Sequence, residues 1–239
     1  MPRARRNIAA GTYYHVLNRG NGQRRLFYKD RDFLAFIGVL AEGLERYRVD
    51  LLAWCLMPNH WHLVLRPRDA PALSRLMGWV GVTHVRRHHQ HYHTRGGGHL
   101  YQGRFKSFPV QDDRHFRTVC RYVEANARRA GLVRRAEQWG WSSLAQPPVP
   151  TPESRPWPET SDWPMPKPHD WLDRVNEPLS KQEREALQTS VIRGRPFGQA
   201  DWVADMAKRL NLTHTLRDPG RPPKKPKKPK KPKEPRPTK

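Results

Sequence analysis

The chain is short of cysteine, of long apolar runs and of acid, and each shortage excludes something. Cys55 and Cys120 are the only thiols. Both sit in apolar sequence, which argues against a disulfide framework and suits two buried side chains in a reducing compartment. No Cys-x-x-Cys spacing occurs, which counts against a structural zinc module. No stretch has the apolar length that spans a bilayer, and the opening MPRARRNIAAGTYYH lacks the apolar core of a secretory signal. A cytoplasmic protein with no membrane partner is therefore expected. Aspartate and glutamate total 22 against 45 lysines and arginines, for a formal charge of +23 and a pI near 10.9. That imbalance calls for a polyanionic partner, nucleic acid before a membrane surface, and suggests association with the nucleoid.

The charge is uneven. Residues 217–239, RDPGRPPKKPKKPKKPKEPRPTK, hold eleven Lys/Arg against Asp218 and Glu234. This Lys/Pro-rich segment cannot bury apolar surface and is expected to be a disordered basic tail that binds phosphate without sequence preference. Residues 1–216 keep the larger part of the charge, so the body is basic in its own right.

Within that body, TYYHVLNRG (12–20) alternates like a strand. Residues 30–47 carry Phe33, Phe36, Ile37, Leu40 and Leu44 at helical spacing. VDLLAWCLM (49–57) and HWHLVLRP (60–67) read as a hairpin turned at Pro58-Asn59. A helix is predicted from Pro71 to about Tyr92, then a glycine-rich loop (94–105), a last strand (106–111) and a helix over 112–131 capped by Gly131. The order β-α-β-β-α-β-α predicts an α+β fold: a ferredoxin-like antiparallel sheet with helices on one face. The expected organisation is a catalytic domain over 1–145, a Pro-rich linker over 146–178 and a small helical C-terminal extension over 179–216, with helices near 179–189 and 199–211.

The chemistry gathers at MPNHWHLVL (57–65). On a strand, His60 and His62 project to one side and Trp61 to the other. Two such imidazoles can bind a metal, stack on a base, or simply occupy a sheet face. In RYVEANARRAG, Tyr122 and Asn126 are one helical turn apart and share a face. A tyrosine hydroxyl, with an ordinary pKa of about 10, is a poor nucleophile near neutral pH unless a cation assists it. Two imidazoles and an amide carbonyl would hold such a cation and leave positions open, with the amide favouring Mg²⁺ or Mn²⁺.

MPNHWHLVL, LYQGRFKS and RYVEANARRAGLV together resemble the single-tyrosine HUH (IS200-like) transposases, and within them the REP-associated tyrosine transposases. The resemblance implies that His60 and His62 are metal ligands with Asn126, and that Tyr122 is the nucleophile. It further implies cleavage of single-stranded DNA at hairpin-forming, REP-like repeats through a 5′-phosphotyrosine intermediate, rejoined by a 3′-hydroxyl without ATP. Ala127 stands where many relatives have proline. A monomer is expected, a homodimer being the alternative.

Candidate DNA contacts are Arg19, Arg24 and Arg25 in the first loop, and Gln102, Arg104 and Lys106 near the last strand. Arg193 and Arg195 belong to an Arg-Gly-Arg-Pro segment that resembles a minor-groove hook but reads equally as a simple turn. His84, His88, His89, His91 and His93 lack acidic or thiol partners, so a solvated, DNA-facing helix end is expected there. The rival reading is a domesticated, non-catalytic DNA-binding protein of the same fold.

Overall fold

The computed structural model of the protein describes residues 6–145 and 157–217. Four strands, β1 (Tyr13–Arg19), β2 (Val49–Met57), β3 (His60–Pro67) and β4 (Lys106–Val110), form one sheet in the order β2-β3-β1-β4. Every neighbouring pair is antiparallel. Helices α1 (Asp30–Tyr47) and α2 (Ala72–His91) supply the crossovers, giving the expected ferredoxin-like order. Local chemistry sets the helix ends. Asp32 accepts from the Tyr28 and Lys29 amides at the start of α1, and Asp69 from the Ala72 amide at the start of α2.

Strand alternation divides the core in two. Tyr14, Val16, Trp54, Leu56, Trp61, Leu63 and Leu65 pack under α1 and α2. Gly43 lets those helices close, since a Cβ there would stand 2.7 Å from Leu76 Cδ1. Tyr13, Ala53, Cys55, Val64, Phe108 and Val110 face the other way, toward Phe116, Val119, Cys120 and Val123. The expectation of helices on one face thus holds for α1 and α2. The opposite face is covered as well, by α3 (Arg114–Glu124) and α4 (Asn126–Arg129). The reason lies in β2, which is buried at every position and needs an apolar cover on both sides.

The single helix expected over 112–131 is two. Ala125, at φ −79° and ψ 2°, separates α3 from α4. Asn126 Nδ2 donates back to the Tyr122 and Val123 carbonyls there, a local bond that competes with regular helix. Gly131, at φ +70°, follows in the left-handed region.

The stretch expected as a linker is packed where it is described. Ser161 N donates to Leu51 O and Trp163 Nε1 to Leu52 O, and α5 (Trp171–Asn176) buries Trp171 and Val175. Proline-rich composition concealed these tryptophan anchors. Helices α6 (Lys181–Arg193) and α7 (Ala200–Arg209) follow. Between them Gly194 ends α6 in the left-handed region, and Phe197 pairs with the end of β4. The Arg-Gly-Arg-Pro segment is therefore a helix-ending turn. The basic tail, apart from Arg217, lies outside the described residues. Among the described residues no helix is long and apolar enough to cross a membrane.

Candidate active site

Cross-strand register assembles the site on the α3 face. His62 stands opposite Leu17 and Cys55, and His60 opposite Arg19 and Met57. The His60 and His62 rings are 5.0 Å apart between centroids, and the Tyr122 ring lies 5.8 Å from His62. Asn126, one turn after Tyr122, is buried, with its amide nitrogen donating to the Tyr122 and Val123 carbonyls and its Oδ1 accepting from Arg129. The four residues singled out by sequence are brought together.

Each histidine of the pair is held through Nδ1. His60 Nδ1 is 2.6 Å from Asn59 Oδ1, which accepts only if Nδ1 carries the proton. His62 Nδ1 is 2.8 Å from Nε2 of His15, a ring stacked almost parallel to it. Among the described residues neither Nε2 of the pair has a hydrogen-bond partner. Burial, then the charges of Arg19 and Arg129, pushes His60 down to about 4. Burial, then His15 and His60, holds His62 well below the ordinary histidine value. Both rings are neutral at physiological pH and offer a lone pair without displacing a proton. Two neutral imidazoles with free Nε2 atoms are the kind of donor a divalent cation takes, and Asn126 Oδ1 can add a ligand through the lone pair not used by Arg129. Among the described residues no set of three His, Cys, Asp or Glu forms a metal site.

Sequence reasoning missed three side chains here. His15 is fully buried on β1 and its Nδ1 has no partner; a histidine inside the apolar alternation TYYHV was the signal. Arg129 lies with its guanidinium 3.9 Å from the Tyr122 ring centroid and donates to Asn126 Oδ1 at 2.9 Å. Glu124 is buried on α3, accepting from Ser143 Oγ at 2.6 Å and Trp171 Nε1 at 2.7 Å. Burial pushes its pKa up, and it fastens the helix that carries Tyr122 to α5.

The predicted DNA contacts separate into groups. Arg19 and Lys106 extend the histidine face, since Lys106 pairs with Leu17 across β1 and β4. Arg24 and Arg25 are exposed in the first loop. Gln102 and Arg104 lie on the opposite side of the sheet, lining a cavity of about 1540 Å³ between α2 and the loop before β4. Arg6, Arg75, Arg86 and Arg209 also line it, and no acidic residue does. Arg193 and Arg195 flank the turn after α6.

The histidine-rich end of α2 is not a uniformly solvated surface. His84 is 5% exposed, its Nδ1 2.7 Å from Tyr101 Oη, which also accepts from Trp61 Nε1 at 3.0 Å. The apolar face of α2 carries it inward, one turn beyond Val80.

Residues 9–126 match the family model of IS200-like transposases. Comparison with curated proteins gave no match. Among solved structures, a REP-associated tyrosine transposase bound to a REP hairpin overlaps with a TM-score of 0.45 at 17% identity, over 60% of this chain and 82% of that one. A structure described as a transposase from Deinococcus radiodurans R1 overlaps with a TM-score of 0.35 at 18% identity, over 52% and 96%. Both likenesses are loose, and the sequence match to the family carries the assignment.

Proposed function

The chain belongs, through residues 9–126, to the IS200-like transposases, and on that premise we propose that it cleaves and rejoins single-stranded DNA through a tyrosine–DNA intermediate. The observation that carries the reading is one cluster: Tyr122 beside the His60–His62 pair, with Asn126 fixed one turn on. In cleavage the Tyr122 oxygen bonds to the scissile phosphorus and the bond to the 3′-oxygen breaks. This leaves a 5′-phosphotyrosine and a free 3′-hydroxyl; attack by a 3′-hydroxyl reverses the step, so bond energy is conserved and no nucleotide is consumed. His60 and His62 through Nε2, and Asn126 through Oδ1, would hold Mg²⁺ or Mn²⁺. That ion supplies positive charge at a phosphate oxygen and at the leaving group.

The motifs noted above resemble those of the REP-associated group, and we read the substrate as a hairpin-forming repeat. Two basic regions suit such a substrate. Arg19 and Lys106 lie beside the chemistry, whereas Gln102, Arg104 and the other arginines of the large cavity offer a cationic, acid-free recess. Chemistry is assigned to residues 1–145, with DNA contact from the 179–216 extension in support.

Tyr122→Phe removes one oxygen and keeps the ring. Mixed with labelled single-stranded hairpin oligonucleotides and Mn²⁺, it should bind like wild type yet form no covalent adduct on a denaturing gel. An adduct that persists moves the nucleophile elsewhere. Absence of any adduct from the wild type favours the domesticated, binding-only reading.

A further inference from the structure

Arg129 ends α4, three residues after Asn126, and packs back on Tyr122 of α3. Its guanidinium covers the Tyr122 ring at 3.9 Å, and Nη2 donates to Asn126 Oδ1. It forms no ion pair with any described carboxylate. Glu124, the acid that ends α3, is turned away toward Ser143 and Trp171. Arg129 is exposed. A guanidinium has five N–H donors in a planar fork, and the contact with Asn126 uses one of them. The site therefore gathers a cation, three imidazoles and a nucleophile, and among the described residues no carboxylate pairs with that cation.

We propose that Arg129 is a catalytic residue of strand cleavage: its guanidinium grips a non-bridging oxygen of the scissile phosphate while its contact with the ring holds Tyr122 in place for attack. The inference rests on Tyr122 being the nucleophile. As the phosphorus–tyrosine bond forms and the bond to the 3′-oxygen breaks, the phenolic proton passes to water and the leaving oxygen takes a proton from water. Negative charge builds on the phosphate oxygens between those events. A planar donor pair fixed there meets the charge without reorganising, and loss of one such donor commonly slows a reaction by about 10²–10³-fold. The alternative is a structural pillar, in which the guanidinium merely supports the tyrosine ring.

Single-turnover cleavage by the full chain separates the two. Arg129→Met keeps the aliphatic stem against Tyr122 and removes the donors. It should cleave about 10²–10³-fold more slowly while binding the oligonucleotide nearly as well. With a methylphosphonate at the scissile position, which removes the anionic oxygen, the gap between wild type and variant should largely close. Free guanidine should partly restore cleavage to Arg129→Ala. Wild-type rates in Arg129→Met, or an equal loss on both substrates, overturn the proposal in favour of a pillar or no role. If Arg129→Met does not fold, Arg129→Lys carries the same comparison, keeping charge and stem but losing the fork. A wild type that forms no Tyr122 adduct sinks the underlying reading and this one with it. An adduct at Tyr122 that is indifferent to Arg129 sinks this one alone.

Discussion

If His62 binds a metal as proposed, its far nitrogen must be held, and the group beside that nitrogen is His15. If His62 offers Nε2 to a cation, its Nδ1 carries the proton and donates to His15 Nε2, which leaves the proton of His15 on the unpartnered Nδ1. His15→Phe keeps the ring and removes the acceptor. Its Mn²⁺ dissociation constant, read by calorimetry, should rise about 10–100-fold, with the circular dichroism spectrum unchanged. His15→Gln, which can accept through its carbonyl, should recover part of the loss. Unchanged Mn²⁺ affinity in His15→Phe would mean that His62 needs no such support. At this scale the sequence was informative wherever spacing encodes direction. His60 and His62 are two apart on a strand, and Tyr122 and Asn126 four apart on a helix, so each pair declared a shared face. His15 stayed hidden because its partner is 47 residues away and register alone aligns them. Arg129 was passed over as one more arginine in a basic chain.

Among the elements, α2 illustrates how composition misleads. Five histidines within ten residues suggested a wet surface, yet helical periodicity turns His84 into the core against Phe27, Phe36 and Tyr101. Burial, then the charge of His88, pushes its pKa down to about 3, while Asp32 opposes the shift. The folded state thus holds fewer protons at this ring than the unfolded chain, whose histidine titrates near 6.5. Stability from His84 is fully present above pH 6.5 and is lost as pH falls toward 3. The urea midpoint should drop with acidification across that window. In His84→Gln the slope should be shallower, by up to about 1.4 kcal/mol per pH unit. Parallel curves for the two proteins would assign the acid sensitivity elsewhere. The same periodicity made α1, α2 and all four strands legible, with boundaries close to those observed. It did not show the second cover of the sheet, although the unbroken apolar run of β2 implied one. Residues 157–178 were illegible for a different reason: tryptophans anchor them singly, without a period.

For the whole molecule, the separation of catalysis from bulk charge can be measured. Deleting residues 217–239 removes eleven bases and two acids and none of the clustered side chains around Tyr122. Polycation binding acts through counterion release, which is indifferent to sequence and falls steeply with salt. The truncated protein should bind DNA more weakly at low salt, with a shallower slope of log affinity against log salt. At saturating protein it should still cut at the same position. A shifted cut would give the tail a part in recognition.

The alternation of one strand has a wider consequence. His60 and His62 point into the cluster with Tyr122, while Trp61 between them forms part of the wall of the arginine-lined cavity and donates to Tyr101. Alternate residues of one strand therefore serve two different surfaces. A substitution at Trp61 would therefore alter the cavity wall and the bond to Tyr101 while leaving every side chain of the histidine–tyrosine cluster in the sequence, so the two surfaces can be changed one at a time.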